Sequence, residues 1–251
     1  MAKQTGIIKL KGTIGDISFY KTGDGHLARA KGGIDASRIA NDPAFQRTRE
    51  NGSEFGRAGK GGKVLRNAIR ILLQKAKDKR VVSRLTTDLL KVVKTDATNS
   101  RGQRTIQDGD FSLLENFEFN KNAKLGYTLF TNFSTTFDRA TGDGHLLVSA
   151  FVPTTAIAAP SGTTHYKLSI CTAALDFVNE TFQSEIDESG VIPYDSVQTA
   201  SMDMTTSMSS NSTLPVIQVV SIEFYQEVNG EKYPLKNGAY NAMAVTLAEK
   251  V

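Results

Sequence analysis

The stretch VVSIEFYQEVNGEKYPL at residues 219–235 decides the fold class, because it combines two short runs with a hairpin turn. Val220, Ile222 and Phe224 alternate with polar neighbours, which is the period of a β-strand. Asn229-Gly230 suits a two-residue turn, which needs positive φ angles, and pairing can resume at Tyr233. The pattern predicts an antiparallel hairpin.

The two-residue period extends through most of residues 111–251. One alternating face covers residues 127–137, the turn TGDGH follows at 141–145, and further strands are predicted at 146–152, 166–170 and 241–247. The Met-containing stretch 196–213 reads as an edge strand that runs into a loop. Seven or eight short strands separated by turns predict an antiparallel β-sandwich.

A helical period replaces this pattern in residues 42–95. Asp42 is a good N-cap and Pro43 a good first helical residue, but glycines at 52, 56 and 59 predict a poor helix beyond the middle of residues 43–60. Beyond Gly62 the apolar residues follow helical spacing: Val64, Leu65, Ala68, Ile69, Leu72, Leu73 and Ala76, then Val82, Leu85, Leu89 and Val92. These runs predict an αα-hairpin or one bent helix.

The N-terminal residues 6–31 read as two or three short strands. Ile8 and Leu10 alternate with lysines, Ile17 and Phe19 form a second run, and Asp24-Gly25 suits a tight turn. So small a hairpin needs support from the following helices, the second domain or a neighbouring subunit. We therefore treat Ile8, Leu10, Ile17 and Phe19 as a candidate strand-donating arm. The predicted class is α+β: an N-terminal β-hairpin and a basic helical segment, followed by an antiparallel β-sandwich.

Charge divides the chain into two opposed halves. Residues 1–105 contain 23 Lys and Arg against 9 Asp and Glu, whereas residues 106–251 contain 7 against 17. The switch near Thr105 predicts a basic domain at 1–105 and an acidic β domain at 106–251, with a polar linker or long loop at 95–110.

Two partners fit this asymmetry. Opposed patches on one chain suit head-to-tail contacts between copies, and a row of cations also suits nucleic acid. The candidate cations are Arg47, Arg49, Arg57, Lys60, Lys63, Arg66 and Arg70. We expect a non-enzymatic structural protein that self-assembles as a filament, sheath or virion-type component; the alternative is a nucleic-acid-binding protein that uses the same basic half.

Local catalytic signatures are absent from the sequence. His26, His145 and His165 lack partners at metal-ligand spacing, and Cys171 lies in an apolar run. The glycine cluster at 56–62 does not meet the spacing of a phosphate loop. We expect no catalytic, cofactor or metal site, and neither repeat of TGDGHL supplies enough oxygens for calcium.

The composition of 251 residues, with 39% hydrophobic, one Cys and no Trp, excludes a disulfide scaffold, collagen and wholesale disorder. No run approaches a membrane span, and the first residues lack the apolar core of a signal peptide. We expect synthesis in the cytoplasm, with release as part of an extracellular assembly or virion left open.

Two segments carry a resemblance. GIIKLKGTIGDISFYKTGDGHLARAKGG (residues 6–33), followed by DPAFQRTRENGSEFGRAGK (residues 42–60), resembles a family of uncharacterised bacterial proteins with an N-terminal motif of the KGTIGDISFYK type. IEFYQEVNGEKYPLKNGAYNAMAV (residues 222–245) is similar to the closing segment of that family. The resemblance implies that the two halves belong together, and it brings no known activity.

Overall fold

The computed structural model describes residues 1–30 and 32–250. It divides into two compact units, Met1–Glu50 and Asn51–Val251. This division differs from the boundary predicted near Thr105. The reason is that the helices beyond residue 50 share one hydrophobic core with the β-strands, so the change of charge at Thr105 falls inside a packed unit.

The first unit contains a four-stranded antiparallel sheet in the order β1-β4-β3-β2. Its strands are β1 (Ala2–Lys3), β2 (Gly12–Ile14), β3 (Ile17–Thr22) and β4 (Gly25–Ala30). The turn between β3 and β4 falls at Gly23-Asp24, one residue before the predicted Asp24-Gly25, and Gly25, with a φ of 111°, is the first residue of β4. Helix α1 (Ala36–Asn41) follows, then a 3-10 turn (Pro43–Phe45) that Asp42 caps as predicted.

The prediction of a strand at Ile8 and Leu10 is wrong. Ile17 and Phe19 lie in β3, but Ile8 and Leu10 lie in an irregular loop. The physical reason is the Gln4 side chain, which accepts a hydrogen bond from the Leu10 backbone N–H at 2.8 Å and donates to the Leu27 carbonyl at 3.0 Å. This side chain takes up hydrogen-bonding groups of the loop that would otherwise pair with a strand.

The basic helical segment forms α2 (Gln46–Ala68), α3 (Arg70–Leu73) and α4 (Val81–Thr95). The predicted apolar face is confirmed, since Val64, Leu65, Ala68, Ile69, Leu72, Leu73 and Ala76 are all buried. In α4, however, Val82 is 50% exposed, and its neighbour Val81 is in the core instead.

The expectation of a poor helix around the glycines is wrong. Helix α2 continues through Gly52, Gly56 and Gly59 without a break. Tertiary packing outweighs the low helix propensity of glycine, because the face that follows is buried and Gly61 packs closely on Ile106 and Phe177.

Among its described residues, the second unit contains two antiparallel sheets. The large sheet has six strands: β7 (His165–Asp176), β8 (Thr181–Glu188), β9 (Ile192–Pro193), β11 (Val216–Val228), β12 (Glu231–Pro234) and β13 (Ala242–Glu249). The small sheet has three strands, β5 (Phe133–Asp138), β6 (Asp143–Val148) and β10 (Met202–Ser207), with β6 in the centre. One further short helix, α5, spans Pro153–Ala156.

Most of the predicted strands are confirmed. The Asn229-Gly230 turn joins β11 to β12, and β10 is an edge strand that buries Met204. The alternation at 127–137 is the exception. Only Phe133–Asp138 pairs as a strand, because the chain before it forms a 3-10 turn at Leu125–Tyr127.

The second unit has three layers: the helices, the large sheet in the middle and the small sheet. One face packs on the helices through Cys171, Ala173, Ile217 and Val219, and the other packs on the small sheet through Leu168, Ile170, Val220 and Ile222. Strands β7 and β11 are therefore buried on both faces along most of their length. The fold is α+β with a sandwich-like arrangement of sheets, as predicted.

Candidate assembly interface

The N-terminal sheet has one apolar face. Ile14 pairs directly with Ile17 across β2 and β3, and Phe19 pairs with Ala28 across β3 and β4. Because side chains alternate along each strand, these residues project from the same side of the sheet. The sheet therefore presents a continuous apolar stripe.

The opposite face of this sheet is polar. The hydroxyls of Thr13 and Ser18 lie 3.3 Å apart, and the guanidinium of Arg29 lies over the ring of Tyr20. A sheet with one apolar and one polar face normally packs its apolar face on other structure.

The N-terminal unit has no core of its own. Among its described residues none is buried, and on the apolar face Ile14 is 62% and Ile17 46% exposed. Ile8 lies in the loop beside the sheet and is 82% exposed. Exposed apolar side chains grouped on one sheet face mark a surface for association.

The predicted cations fall into different settings. Arg47 is exposed in the N-terminal unit, where Arg49 donates hydrogen bonds from Nη1 to the carbonyls of Ile39 and Asp42 at 2.6 and 3.0 Å. Arg49 therefore ties α2 to the end of α1. Its guanidinium is occupied in local structure.

Two cations of the second unit, Arg57 and Lys60, are also engaged locally. Arg57 donates from Nη1 to the carbonyl of Gly102 at 2.6 Å, and Lys60 lies 3.0 Å from a carboxylate oxygen of Glu180. Arg66 is half-buried, and burial lowers the pKa of its guanidinium. Lys63 and Arg70 remain exposed. The structure therefore does not bring all the predicted cations into one surface.

The helical layer as a whole is basic on its outer side. Residues 51–94 contain 12 Lys and Arg against 3 Asp and Glu. The inner face of the layer is apolar, so most of these cations face outward; Lys63, Arg70, Lys77, Lys79, Arg80, Lys91 and Lys94 are all exposed.

The other side of the second unit is acidic. Residues 128–214, which include the small sheet and the edge strand β8, contain 2 Lys and Arg against 9 Asp and Glu. Asp143 and Asp203 lie on the outward face of the small sheet, because Leu146, Val148 and Met204 occupy its inner face. The helices and the small sheet cover opposite faces of the large sheet, so the unit carries opposite charges on its two sides.

Side chains of β8 also satisfy backbone groups of β10. A carboxylate oxygen of Asp187 accepts from the Thr205 N–H at 2.9 Å, and one of Glu185 accepts from the Ser207 N–H at 2.5 Å. Gln183 accepts from Ser209 N–H at 3.3 Å in the same way. These bonds hold an edge strand of the small sheet against an edge of the large one.

Some opposite charges meet inside the unit. Lys75 lies 3.1 Å from Glu223, and the buried Lys167 lies 2.8 Å from Glu188 and 3.5 Å from Glu223. This cluster was not predicted from the sequence, because its members come from three separate strands and the loop after α3. The sequence does place Lys167 and Glu223 as charged residues within apolar strand runs, but Glu188 lies in the polar strand β8.

The candidate chemical groups lie as follows. His145 is in strand β6, where its Nδ1 is 3.0 Å from Asp203 on β10, a cross-strand pair that the sequence did not reveal. Cys171 is buried, and burial raises the pKa of its thiol to about 12. The thiol is therefore protonated near neutral pH and acts as a packing group. In residues 1–30 and 32–250, no three His, Cys, Asp or Glu side chains group to hold a metal ion.

No protein-family model, curated protein or solved structure gives a significant match to the chain. Within the described part of the chain, no helix combines the length and apolarity that crossing a membrane requires.

Proposed function

We propose that this chain is a non-enzymatic structural protein whose copies assemble head to tail. The observation that carries the proposal is the N-terminal sheet with an apolar face and no buried residue in its unit. The partner that fits best is a second copy, because the second unit has complementary charge on its two sides.

The apolar face supplies the attraction in this proposal. Burying apolar surface contributes about 25 cal/mol per Å², and Ile14 and Ile17 are exposed in the single chain. The edge strands β1 and β2 have two and three residues, which leaves few backbone groups for strand pairing. We therefore place the contact on the face of the sheet rather than on its edge.

In this proposal, charge sets the orientation in which two copies meet. A basic surface on one side and an acidic surface on the other repel in a symmetrical, like-to-like contact and attract in a head-to-tail one. Lys60, Lys63 and Arg70 are the predicted cations that stay exposed on the basic side of the second unit, and of these Lys60 pairs with Glu180. In a head-to-tail contact each copy keeps one of its two complementary surfaces free. Further copies can therefore add, and the assembly grows into a ring or a filament.

The test compares two double variants on neighbouring cross-strand pairs of the same two strands. Ile14→Ser with Ile17→Ser alters the apolar face, and Thr13→Ala with Ser18→Ala alters the polar face at the adjacent register. Electron microscopy and sedimentation velocity measure assembly of each variant and of the unaltered chain.

We expect ordered polymers from the unaltered chain and from the polar-face control, and their loss in the Ile14 and Ile17 variant. Equal assembly of the two variants contradicts a role for the apolar face. Circular dichroism and thermal melting check that the second unit stays folded in both.

A further inference from the structure

A cavity of about 730 Å³ opens beside the start of α4. The connection between α3 and α4 forms one wall, and residues 120–122 form another. Its charged lining residues are Lys77, Lys79, Arg80, Arg84, Lys121 and a single carboxylate, Asp78. None of these cations is among those predicted from the sequence, although Lys77, Lys79 and Arg80 also belong to the exposed basic side of the helical layer.

Two of the charged groups already neutralise each other. Asp78 accepts hydrogen bonds from the Arg84 guanidinium, from the Arg80 N–H at 2.7 Å and from the Lys121 N–H at 3.0 Å. Arg84 also donates to the Glu118 carbonyl at 2.7 Å. This pair fixes the wall of the cavity and contributes no net charge.

Four cations are left around the same opening. Lys77, Lys79, Arg80 and Lys121 are exposed, and Asp78 is the one carboxylate among the described residues that line the cavity. Like charges around one opening repel one another, and an anion bound between them would reduce that repulsion. The concave shape raises the local concentration of anions further.

The backbone adds to this charge. Helix α4 has fifteen residues and begins at Val81, and its N-cap Arg80 supplies no side-chain hydrogen bond to the first turn. The N–H groups of the first turn therefore receive no side-chain cap from Arg80, and Arg80 and Ser83 at this positive end of the helix line the cavity.

We propose that this cavity binds an anion with two or more linked phosphate groups. One carboxylate carries a single charge and cannot neutralise four cations, whereas linked phosphates bring several charges and tetrahedral oxygens that suit both lysine and helix N–H donors. The phosphates can belong to a free polyphosphate or to the backbone of nucleic acid. The inference rests on the cavity and its lining residues, whereas the proposed assembly rests on the apolar face of the N-terminal sheet.

The test uses inorganic tripolyphosphate and two charge-matched double variants. Lys79→Ala with Lys121→Ala removes two cations of the cavity, and Lys91→Ala with Lys94→Ala removes two exposed cations of α4 outside it. Isothermal titration calorimetry at low salt measures the dissociation constant, and thermal melting checks folding.

We expect a loss of roughly tenfold or more in the cavity variant and less than about twofold in the α4 control, because only the first removes direct contacts. Equal losses in the two variants, or no saturable binding to the unaltered chain, overturn the proposal. Hydrogen exchange of the unaltered chain gives a readout that does not depend on variants: tripolyphosphate should protect the Val82 and Ser83 amides, and unchanged exchange there contradicts the proposal.

Competition with duplex DNA separates the two sources. If the natural ligand is nucleic acid, a duplex displaces tripolyphosphate, and the slope of log K against log salt falls by about 2 in the cavity variant. If it is a free polyphosphate, the duplex does not compete and tripolyphosphate binding persists. Both results support a phosphate-binding site in the cavity, and they differ only in the source of the phosphate groups.

Discussion

Lys167 and Glu223 lie directly opposite each other on β7 and β11, with the ammonium nitrogen 3.5 Å from a carboxylate oxygen. Both side chains are more than nine-tenths buried, between a large sheet and the helical layer that covers it. Lys75 reaches the same carboxylate from the helical layer at 3.1 Å, and the Tyr225 hydroxyl donates to it at 2.8 Å. The cluster therefore joins two layers of the fold.

The first prediction concerns this cluster. Lys167→Met should lower the free energy of unfolding by about 2–4 kcal/mol, because it leaves the buried Glu223 with one ammonium partner fewer. Lys167→Met combined with Glu223→Met should recover most of that loss, because no charge is then left unpaired. Urea unfolding of the single and double variants measures both. A double variant as unstable as the single one would show that the charges do not act as a pair.

The same cluster predicts how stability depends on alkaline pH. Burial disfavours the ammonium of Lys167, but the Glu188 and Glu223 carboxylates outweigh it and raise its pKa above the usual 10.5. Burial and the Glu223 carboxylate raise the pKa of Tyr225 to about 12. Both groups stay protonated to a higher pH in the folded state than in the unfolded state. Their contribution to the free energy of unfolding is therefore complete below about pH 10 and is lost as pH rises. Unfolding free energies between pH 9 and about 11.5 should fall more steeply in the unaltered chain than in Lys167→Met with Tyr225→Phe.

Asp96 predicts the dependence on acid. It is 4% exposed at the end of α4, and burial alone would raise its pKa. Hydrogen bonds from Asn99, Thr105 and Thr98 outweigh burial and lower its pKa to about 2.

The stabilisation from Asp96 is therefore present above the unfolded value of 3.8 and is lost as pH falls toward about 2. Asp96→Asn should cost about 2 kcal/mol at pH 7 and flatten the acid dependence. Asp108→Asn is the control, since Asp108 accepts from Asn99 in the same loop but is exposed. Equal effects of the two variants at pH 7 would contradict this role for Asp96.

The glycines of α2 should respond in opposite ways. A Cβ on Gly56 meets nothing within 4 Å, so Gly56→Ala should stabilise the chain by about 0.5–1 kcal/mol through helix propensity. A Cβ on Gly61 collides with Ile106, so Gly61→Ala should destabilise by about 1–3 kcal/mol. Thermal melting of both variants measures the difference, and shifts in the same direction would mean that α2 does not pack as described.

The link between β8 and β10 predicts local exchange behaviour. Replacing Glu185 and Asp187 by Ala removes the acceptors for the Ser207 and Thr205 amides, which should then exchange faster with solvent. Ser184→Ala lies on the other face of β8 and should leave these amides unchanged. Hydrogen exchange of β10 in the two variants decides whether the side chains hold this strand.

Local patterns predicted much of the fold. Strand periodicity located the cores of β7 and β11, and the Asn229-Gly230 turn placed β12, because each depends on neighbouring residues only. The glycines of α2 misled because their low propensity is a local property, whereas the burial that overrides it comes from Ile106 and Phe177 far along the chain.

The candidate site was less predictable. Ile17 and Phe19 alternate in a real strand, but the loop at Ile8 and Leu10 depends on the reach of the Gln4 side chain, which periodicity does not describe. The sequence identifies the cations, but it does not predict which of them donate hydrogen bonds to groups of the same chain. Arg57 finds its acceptor at Gly102, and that contact depends on tertiary structure.

Sedimentation velocity of the unaltered chain across concentration and salt tests the proposed assembly most directly. The account predicts species that grow with concentration and shrink as salt rises from about 50 to about 500 mM, because screening weakens attraction between the opposed charged sides. A single monomeric species at every concentration and every ionic strength would contradict it.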